Sequence, residues 1–371
     1  MPASRAWLSV LRAARDAGAA VLPVDVRLSA REQAALLAQA RPTVAVGVEG
    51  ARRLEGVPVG DDIELVVATS GTSGHSRLVE LPRDAVDAAI RASADAIGAG
   101  SADRWLACLP PAHIGGLLVL ERRLLLGAPI TFRRRVTPTV IAGLPEVRFT
   151  SLVPTQLLRL LDAGIRLGTF RAILVGGSGM SAELVDKASQ AGAPVVPTYG
   201  MTETCGGVVY AGQPLAGVEV RADASGELLV RGPTLMRGYR FDSPATAAAF
   251  TAGGWLRTGD GGTVGSDGAV HVSGRLADVI VSGGEKIWPA EVEAALAGHE
   301  DVAAVVVSAS SDREWGQRVV ARVVPRRRSH PPTLEALRAY AGESIARHKL
   351  PRELIIVDHL ERTALGKIRR R

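Results

Sequence analysis

The sequence predicts an α/β protein, with a large N-terminal α/β domain that carries a β-rich subdomain and a small α+β C-terminal domain. Three observations predict it. At 371 residues the chain is longer than one hydrophobic core ordinarily serves. Its first part alternates short apolar runs with helical patterns, the rhythm of a largely parallel sheet. Past Gly274, valine-rich runs stand between two helical patterns, and this stretch of about a hundred residues is enough for a second core.

In chain order, Ser29-Ala30-Arg31-Glu32 has capping-box form, and the helix it opens runs toward Arg41-Pro42, where proline disfavours continuation. Ile63–Thr69 is an apolar run that ends in a Ser/Gly/Thr cluster, a buried strand entering a loop. Ala172–Val175 is a strand leading into Gly176-Gly177-Ser178-Gly179, after which Ser181 caps a helix from Ala182 to about Ala191. From about Gly217 short strands such as Glu227–Val230 and Ala269–Val272 alternate with glycine turns. Pro289 suits the first position of a helix over Ala290–Ala297, with Gly298 beyond its end. Val302–Val307 and Val319–Val324 read as strands, and so does Leu354–Val357. Leu334, Leu337, Ala341 and Ile345 recur at helical spacing. The boundaries are residues 1–274 for the large domain and 278–371 for the small one, with 275–277 between them.

Composition excludes several classes. Hydrophobic residues at 47% and charged residues at 22% are ordinary for a folded globular chain. No apolar stretch reaches membrane-spanning length, and the N-terminus is broken by Arg5, Arg12, Arg15 and Asp16, so a cytoplasmic protein is expected. Cys108 and Cys205 do not make a disulfide framework or a metal-ligand spacing. The net charge of +6 is scattered and aromatics are 4%, which does not make a nucleic-acid stacking platform. Of 44 basic residues only Lys187, Lys286, Lys349 and Lys367 are lysine, so a lysine carries more information than usual about a need for an ammonium rather than a guanidinium.

Five motifs carry chemistry. Thr69-Ser70-Gly71-Thr72-Ser73-Gly74-His75-Ser76-Arg77 follows a predicted strand, and its glycines and hydroxyls let backbone N–H groups approach phosphate. By itself such a loop is an ordinary turn, and it lacks the GxxxxGK[ST] pattern. Tyr199-Gly200-Met201-Thr202-Glu203 comes next, then Gly254-Trp255-Leu256-Arg257-Thr258-Gly259-Asp260. Gly274-Arg275-Leu276-Ala277-Asp278 follows with Ser282-Gly283-Gly284-Glu285-Lys286, and Leu365-Gly366-Lys367 closes the set. In this order and spacing the chain resembles the adenylate-forming superfamily of acyl-CoA synthetases, peptide-synthetase adenylation domains and luciferases. Pro110–Leu117 (PPAHIGGL) and Phe149–Leu157 (FTSLVPTQL) look most like the 2-succinylbenzoate–CoA ligases within it.

The resemblance implies an acyl-CoA ligase that uses ATP, Mg²⁺ and coenzyme A. Thr69, Ser70, Gly71, Thr72, Ser73, Gly74 and Arg77 would hold the departing phosphates. Thr202 would meet the α-phosphate, Glu203 would help hold the metal, and Lys367 would bridge carboxylate and α-phosphate. Tyr199, Gly200 and Gly177 would lie by the nucleotide, and Asp260 with Arg275 would take the ribose hydroxyls. His113, Gly176, Ser178 and Cys205 would line the acyl pocket, and Gly283 and Gly284 the pantetheine tunnel. Ala277 would be the hinge about which a mobile small domain rotates between two poses. Departures from the family pattern are Ser76 and Arg77 for its proline and lysine, an apolar hinge residue, and a late start. They leave open an enzyme that mainly catalyses transfer from acyl-adenylate to CoA. A carrier-protein-loading enzyme and a non-catalytic nucleotide-binding relative are the other readings. Without the resemblance, Asp260 reads equally well as a turn aspartate ahead of Gly261-Gly262. Monomer and homodimer both stay open.

Overall fold

The computed structural model of the protein describes residues 4–47, 49–69, 76–134 and 136–361. The helix Ala30–Ala40 begins as expected: the Ser29 hydroxyl accepts from the Glu32 N–H, and Glu32 accepts the Ser29 N–H at 2.7 Å. It ends at Arg41, in left-handed conformation at φ 48°. No helix among the described residues is long and apolar enough to cross a membrane.

The expected parallel core is a seven-stranded sheet. Its order is Gln213–Pro214, Gly206–Tyr210, Val195–Met201, Ala172–Val175, Val147–Leu152, Arg104–Ala107 and Ile130–Phe132. From Val195–Met201 to Ile130–Phe132 every pairing is parallel. The first two pairings are antiparallel because Gly206–Tyr210 returns directly after a short turn. Trp105 and Phe149, on neighbouring strands, stack with centroids 5.2 Å apart in the buried core. The strand Ile63–Ala68 lies elsewhere, in an antiparallel sheet with Leu78–Pro82 and Gly238–Tyr239. A chain that doubles back after a short loop pairs with itself rather than crossing over. The β-rich layer is a four-stranded sheet of Glu219–Ala222, Glu227–Arg231, Leu256–Val264 and Val270–Arg275.

The chain divides into two compact units, residues 1–180, 187–220 and 230–257 in one, and 181–186, 221–229 and 258–371 in the other. The last division falls at residue 258, ahead of the expected boundary near 275–277. Packing inside the second unit accounts for this. A Cβ on Gly261 would lie 2.1 Å from the Trp288 ring, and one on Gly274 would lie 3.6 Å from it, so the indole rests directly on the backbone of both strands. Trp288 immediately precedes the helix Pro289–Ala297, whose first residue is the expected proline.

The second unit's own sheet runs Glu285–Ile287, Ile280–Ser282, Gly316–Pro325, Val302–Asp312, with Glu353–Ile356 parallel to Gly316–Pro325. Its core gathers Ile280, Ile287, Leu296, Val307, Val319 and Leu337. The two long strands outrun the predicted ones because their distal ends are polar, at Ser308–Asp312 and Gly316–Arg318, and give no apolar signal. The helix Leu334–Ala341 stops at Gly342, short of Ile345, which still packs on the core from beyond the helix end.

Candidate active site

Loops bearing predicted site residues follow the C-terminal ends of three parallel strands of the seven-stranded sheet. His113 comes after Arg104–Ala107, Gly176–Ser178 after Ala172–Val175, and Thr202–Cys205 after Val195–Met201. Such an edge is where open α/β sheets bind ligands.

The turn after Val195–Met201 is built to hold Glu203. Gly206–Tyr210 folds back so closely that a Cβ on Gly200 would sit 2.0 Å from the Gly206 carbonyl oxygen, so only glycine fits. Tyr199 pairs with Val209 one position earlier. The Thr204 hydroxyl accepts the Met201 N–H at 2.9 Å and donates to the Gly206 carbonyl at 2.7 Å. Thr202–Thr204 forms one 3₁₀ turn, closed by the Cys205 N–H on the Thr202 carbonyl at 3.0 Å. Cys205 itself is left-handed at φ 53° and fully buried. Cys205 was expected to line the acyl pocket; its side chain is buried here, and burial pushes its thiol far up.

Ser70, Gly71, Thr72, Ser73, Gly74 and Lys367 lie outside the described residues. Hydrogen bonds join the residues that flank the 70–75 loop. The Thr69 N–H donates to the Arg77 carbonyl at 2.8 Å, and the Arg77 N–H donates to the Thr69 hydroxyl at 3.2 Å. Gln39 donates from its side chain to the Ser76 carbonyl at 2.9 Å. The Arg77 guanidinium lies over the Tyr239 ring, 4.9 Å from its centroid. On the same tyrosine, the phenol donates to Glu203 Oε1 at 2.9 Å. Burial and the adjoining Glu203 charge push that phenol up to about 12, so it keeps its proton and donates throughout the neutral range. Tyr239 has no sequence signal: it reaches Glu203 from 36 residues away.

His113 precedes the helix Ile114–Leu126 and meets two residues the sequence did not single out. Arg27 Nη2 lies 3.1 Å from His113 Nε2, and Arg27 also grips Asp25 through Nε and Nη2. A guanidinium only donates, so a neutral imidazole takes this bond at Nε2, which also lies 3.8 Å from Asp25 Oδ2. The Arg27 bond holds the Asp25 carboxyl below its usual range. Gly176 has no room for a side chain, since a Cβ would lie 2.4 Å from the Thr198 hydroxyl. Gly177 follows at φ +87°, and Ser178 is exposed.

In the second unit, Asp260 and Arg275 face each other across paired strands, with Arg275 Nε 3.0 Å from Asp260 Oδ1. Arg275 also donates to the Thr258 carbonyl, and the Gly259 N–H donates to Glu227. Asp260 is 6% exposed and lies within a strand, so it is a buried, ion-paired aspartate and not a turn residue. Ala277 sits in the 3₁₀ turn Leu276–Asp278. Gly283 and Gly284, at φ +61° and +86°, make the two-residue turn between Ile280–Ser282 and Glu285–Ile287. Trp315 packs over Gly283, where a Cβ would come within 2.8 Å of its ring.

No cluster of three His, Cys, Asp or Glu side chains able to hold a metal exists among the described residues. The half-buried carboxylate of Glu203, next in sequence to the Thr202 hydroxyl, nevertheless suits Mg²⁺, which takes one or two carboxylates and completes its shell with phosphate and water.

The AMP-binding enzyme family matches residues 53–240, and the AMP-binding enzyme C-terminal domain matches 291–367. A probable 2-succinylbenzoate–CoA ligase of Mycobacterium tuberculosis (strain H37Rv) is 39% identical over 370 residues, spanning 96% of this chain and 95% of the relative. A 2-succinylbenzoate–CoA ligase of Geobacillus sp. (strain WCH70) is 34% identical over 339 residues, 84% of this chain and 68% of the relative. Among solved structures, Bacillus subtilis o-succinylbenzoate CoA synthetase with its acyl-adenylate intermediate superposes with TM-score 0.78 at 32% identity, covering 86% of this chain and 71% of that one. The same enzyme with AMP gives TM-score 0.87 at 28% identity, over 99% and 85%. The chain belongs to the AMP-binding enzyme family, the adenylate-forming ligases.

Proposed function

We propose that the protein is a 2-succinylbenzoate–CoA ligase. A carboxylate oxygen of the acid attacks the α-phosphorus of ATP and pyrophosphate leaves. The thiolate of coenzyme A then attacks the acyl carbon, and AMP leaves. The observation that carries the reading is the meeting of Arg77, at the neck of the phosphate loop, with Glu203 over one tyrosine. The names of the relatives support the choice of acid.

In this reading Thr69, Arg77 and the loop between them bind the departing phosphates, and Thr202 binds the α-phosphate. Glu203 would hold Mg²⁺, which neutralises phosphate charge when bound. Tyr199, Gly200 and Gly177 border the nucleotide, Asp260 accepts the ribose hydroxyls, and Arg275 fixes its carboxylate. His113, oriented by Arg27, fronts the acyl group beside Gly176 and Ser178. Lys367 bridges carboxylate and α-phosphate during adenylation only. Ala277 is the hinge, and the Gly283-Gly284 turn admits the pantetheine arm. Coenzyme A and ATP are cytoplasmic metabolites, and we place the enzyme there, as monomer or homodimer.

The test is a panel of carboxylic acids, 2-succinylbenzoate among them, with ATP, Mg²⁺ and CoA, reading AMP and acyl-CoA separately. Release of both with 2-succinylbenzoate is expected. Product with a phosphopantetheinyl carrier protein but not with free CoA would replace CoA by that partner. Lys367→Ala should slow adenylation at least ~10²-fold, the scale of removing one electrostatic stabiliser. Given a synthetic acyl-adenylate and CoA, the same variant should react at the wild-type rate. Equal loss in both assays would contradict the role of Lys367.

A further inference from the structure

Glu203 is held twice by the segment 236–239. The Met236 N–H donates to its carbonyl at 2.9 Å, and the Tyr239 phenol donates to its side chain at 2.9 Å. That segment is itself fixed. Gly238 pairs with Glu80 and Tyr239 with Val79, on the strand Leu78–Pro82 that starts immediately after Arg77. The Tyr239 N–H donates to the Thr246 hydroxyl at 2.8 Å, and Thr246 lies so near Gly238 that a Cβ there would approach it to 2.6 Å. The tyrosine ring therefore stands between two groups of opposite charge. Its π-face carries the Arg77 guanidinium, and its hydroxyl donates to the Glu203 carboxylate while accepting from Arg77.

We propose that Tyr239 is a positioning residue that couples the basic neck of the phosphate loop to the Glu203 carboxylate and aims that carboxylate at Mg²⁺. The inference rests on the reading of Glu203 as the metal carboxylate. A phenol donating to one carboxylate oxygen fixes the rotamer and leaves the other oxygen for a cation. The same ring gives Arg77 a seat, so its charge faces phosphate from a fixed place. Without the phenol the carboxylate regains rotational freedom, and its alignment with the cation has to be recovered on binding.

The experiment measures ATP affinity by titration calorimetry on the full chain, once with Mg²⁺ and once in EDTA. Wild type, Tyr239→Phe, Glu203→Gln and the double variant are compared, with the melting temperature of each. Tyr239→Phe keeps the ring under Arg77 and removes the hydroxyl, with its bond to Glu203 and the weaker one from Arg77. It should lose roughly tenfold of the Mg²⁺-dependent gain in affinity, the effect of one hydrogen bond to a charged group. Its affinity in EDTA should fall by a smaller factor, through the lost Arg77 contact, and its melting temperature should match wild type. Glu203→Gln should abolish the gain, and the double variant should be no worse than Glu203→Gln. If Tyr239→Phe retains the whole gain while Glu203→Gln loses it, Tyr239 positions nothing. Equal weakening with and without Mg²⁺ would reduce its part to general packing. If Glu203→Gln retains the gain, the metal assignment fails, and the proposal with it.

Discussion

Both cysteines are buried, Cys108 just past the strand Arg104–Ala107 and Cys205 under the glutamate turn. Burial raises the Cys108 thiol to about 11, against a smaller lowering by Thr150, and raises Cys205 further. Because the thiolate is the reactive species, neither side chain should react in the native protein at pH 8. Titration with a chromogenic disulfide should therefore find no thiol until denaturant is added, and then two. A native thiol reacting at an ordinary rate would contradict the burial of that residue. At this scale the sequence spoke through residues whose type is forced. Gly200 has no room for a Cβ, and Gly283 and Gly284 occupy a turn that needs positive φ. It was silent on Tyr239, Arg27 and Trp288, because each acts on a residue brought near only by folding and has no local pattern to mark it.

Elements were legible where an apolar period or a cap announced them, and illegible where polarity masked a strand. The capping box at Ser29 and the proline at Pro289 placed two helix starts correctly. The distal ends of Val302–Asp312 and Gly316–Pro325 escaped notice because they are polar and give no apolar signal. The pairing of Leu256–Val264 with Val270–Arg275 depends on glycine for a different reason, the Trp288 ring lying on Gly261. Gly261→Ala would place a methyl where the indole is, with little room to yield. It should destabilise the fold by ~1–3 kcal/mol, the range for overpacking. Urea unfolding would show it as a lower midpoint, and pairing it with Trp288→Leu should recover part of the loss. No change on Gly261→Ala would mean that the indole moves aside freely.

At the scale of the whole molecule, the N-terminal helix Arg5–Asp16 is tied in by a partly buried charge cluster, with Glu64 and Glu121 at its buried end. Arg15 lies 2.7 Å from Asp87, 3.4 Å from Glu64 and 3.6 Å from Glu121, and Arg83 pairs with Glu64 at 2.7 Å. Three carboxylates face two guanidinium groups, so one proton makes the cluster neutral. Burial and then the Glu64 charge push Glu121 up to about 8 from 4.5, with Arg15 opposing, so Glu121 is where that proton resides. A carboxyl with a folded pKa above its unfolded one stabilises the fold below the unfolded pKa and loses that contribution as pH rises through the folded one. The contribution of Glu121 should thus decline between about pH 4.5 and about pH 8, by at most ~1.4 kcal/mol per unit. Urea unfolding of wild type and Glu121→Gln at several pH values in that window checks it. The wild type should lose stability with rising pH relative to the variant, and parallel profiles would show that Glu121 is already ionised.

Along the chain, the hinge proposed at Ala277 lies between Gly261 and Trp288, yet the indole rests on the glycine. Any rotation at that hinge has to lift the ring from its seat and give it new neighbours. Indole emission follows polarity and quenching, so each turnover would write itself into the protein's own light. One of the chain's five tryptophans would thus report rotation at the proposed hinge.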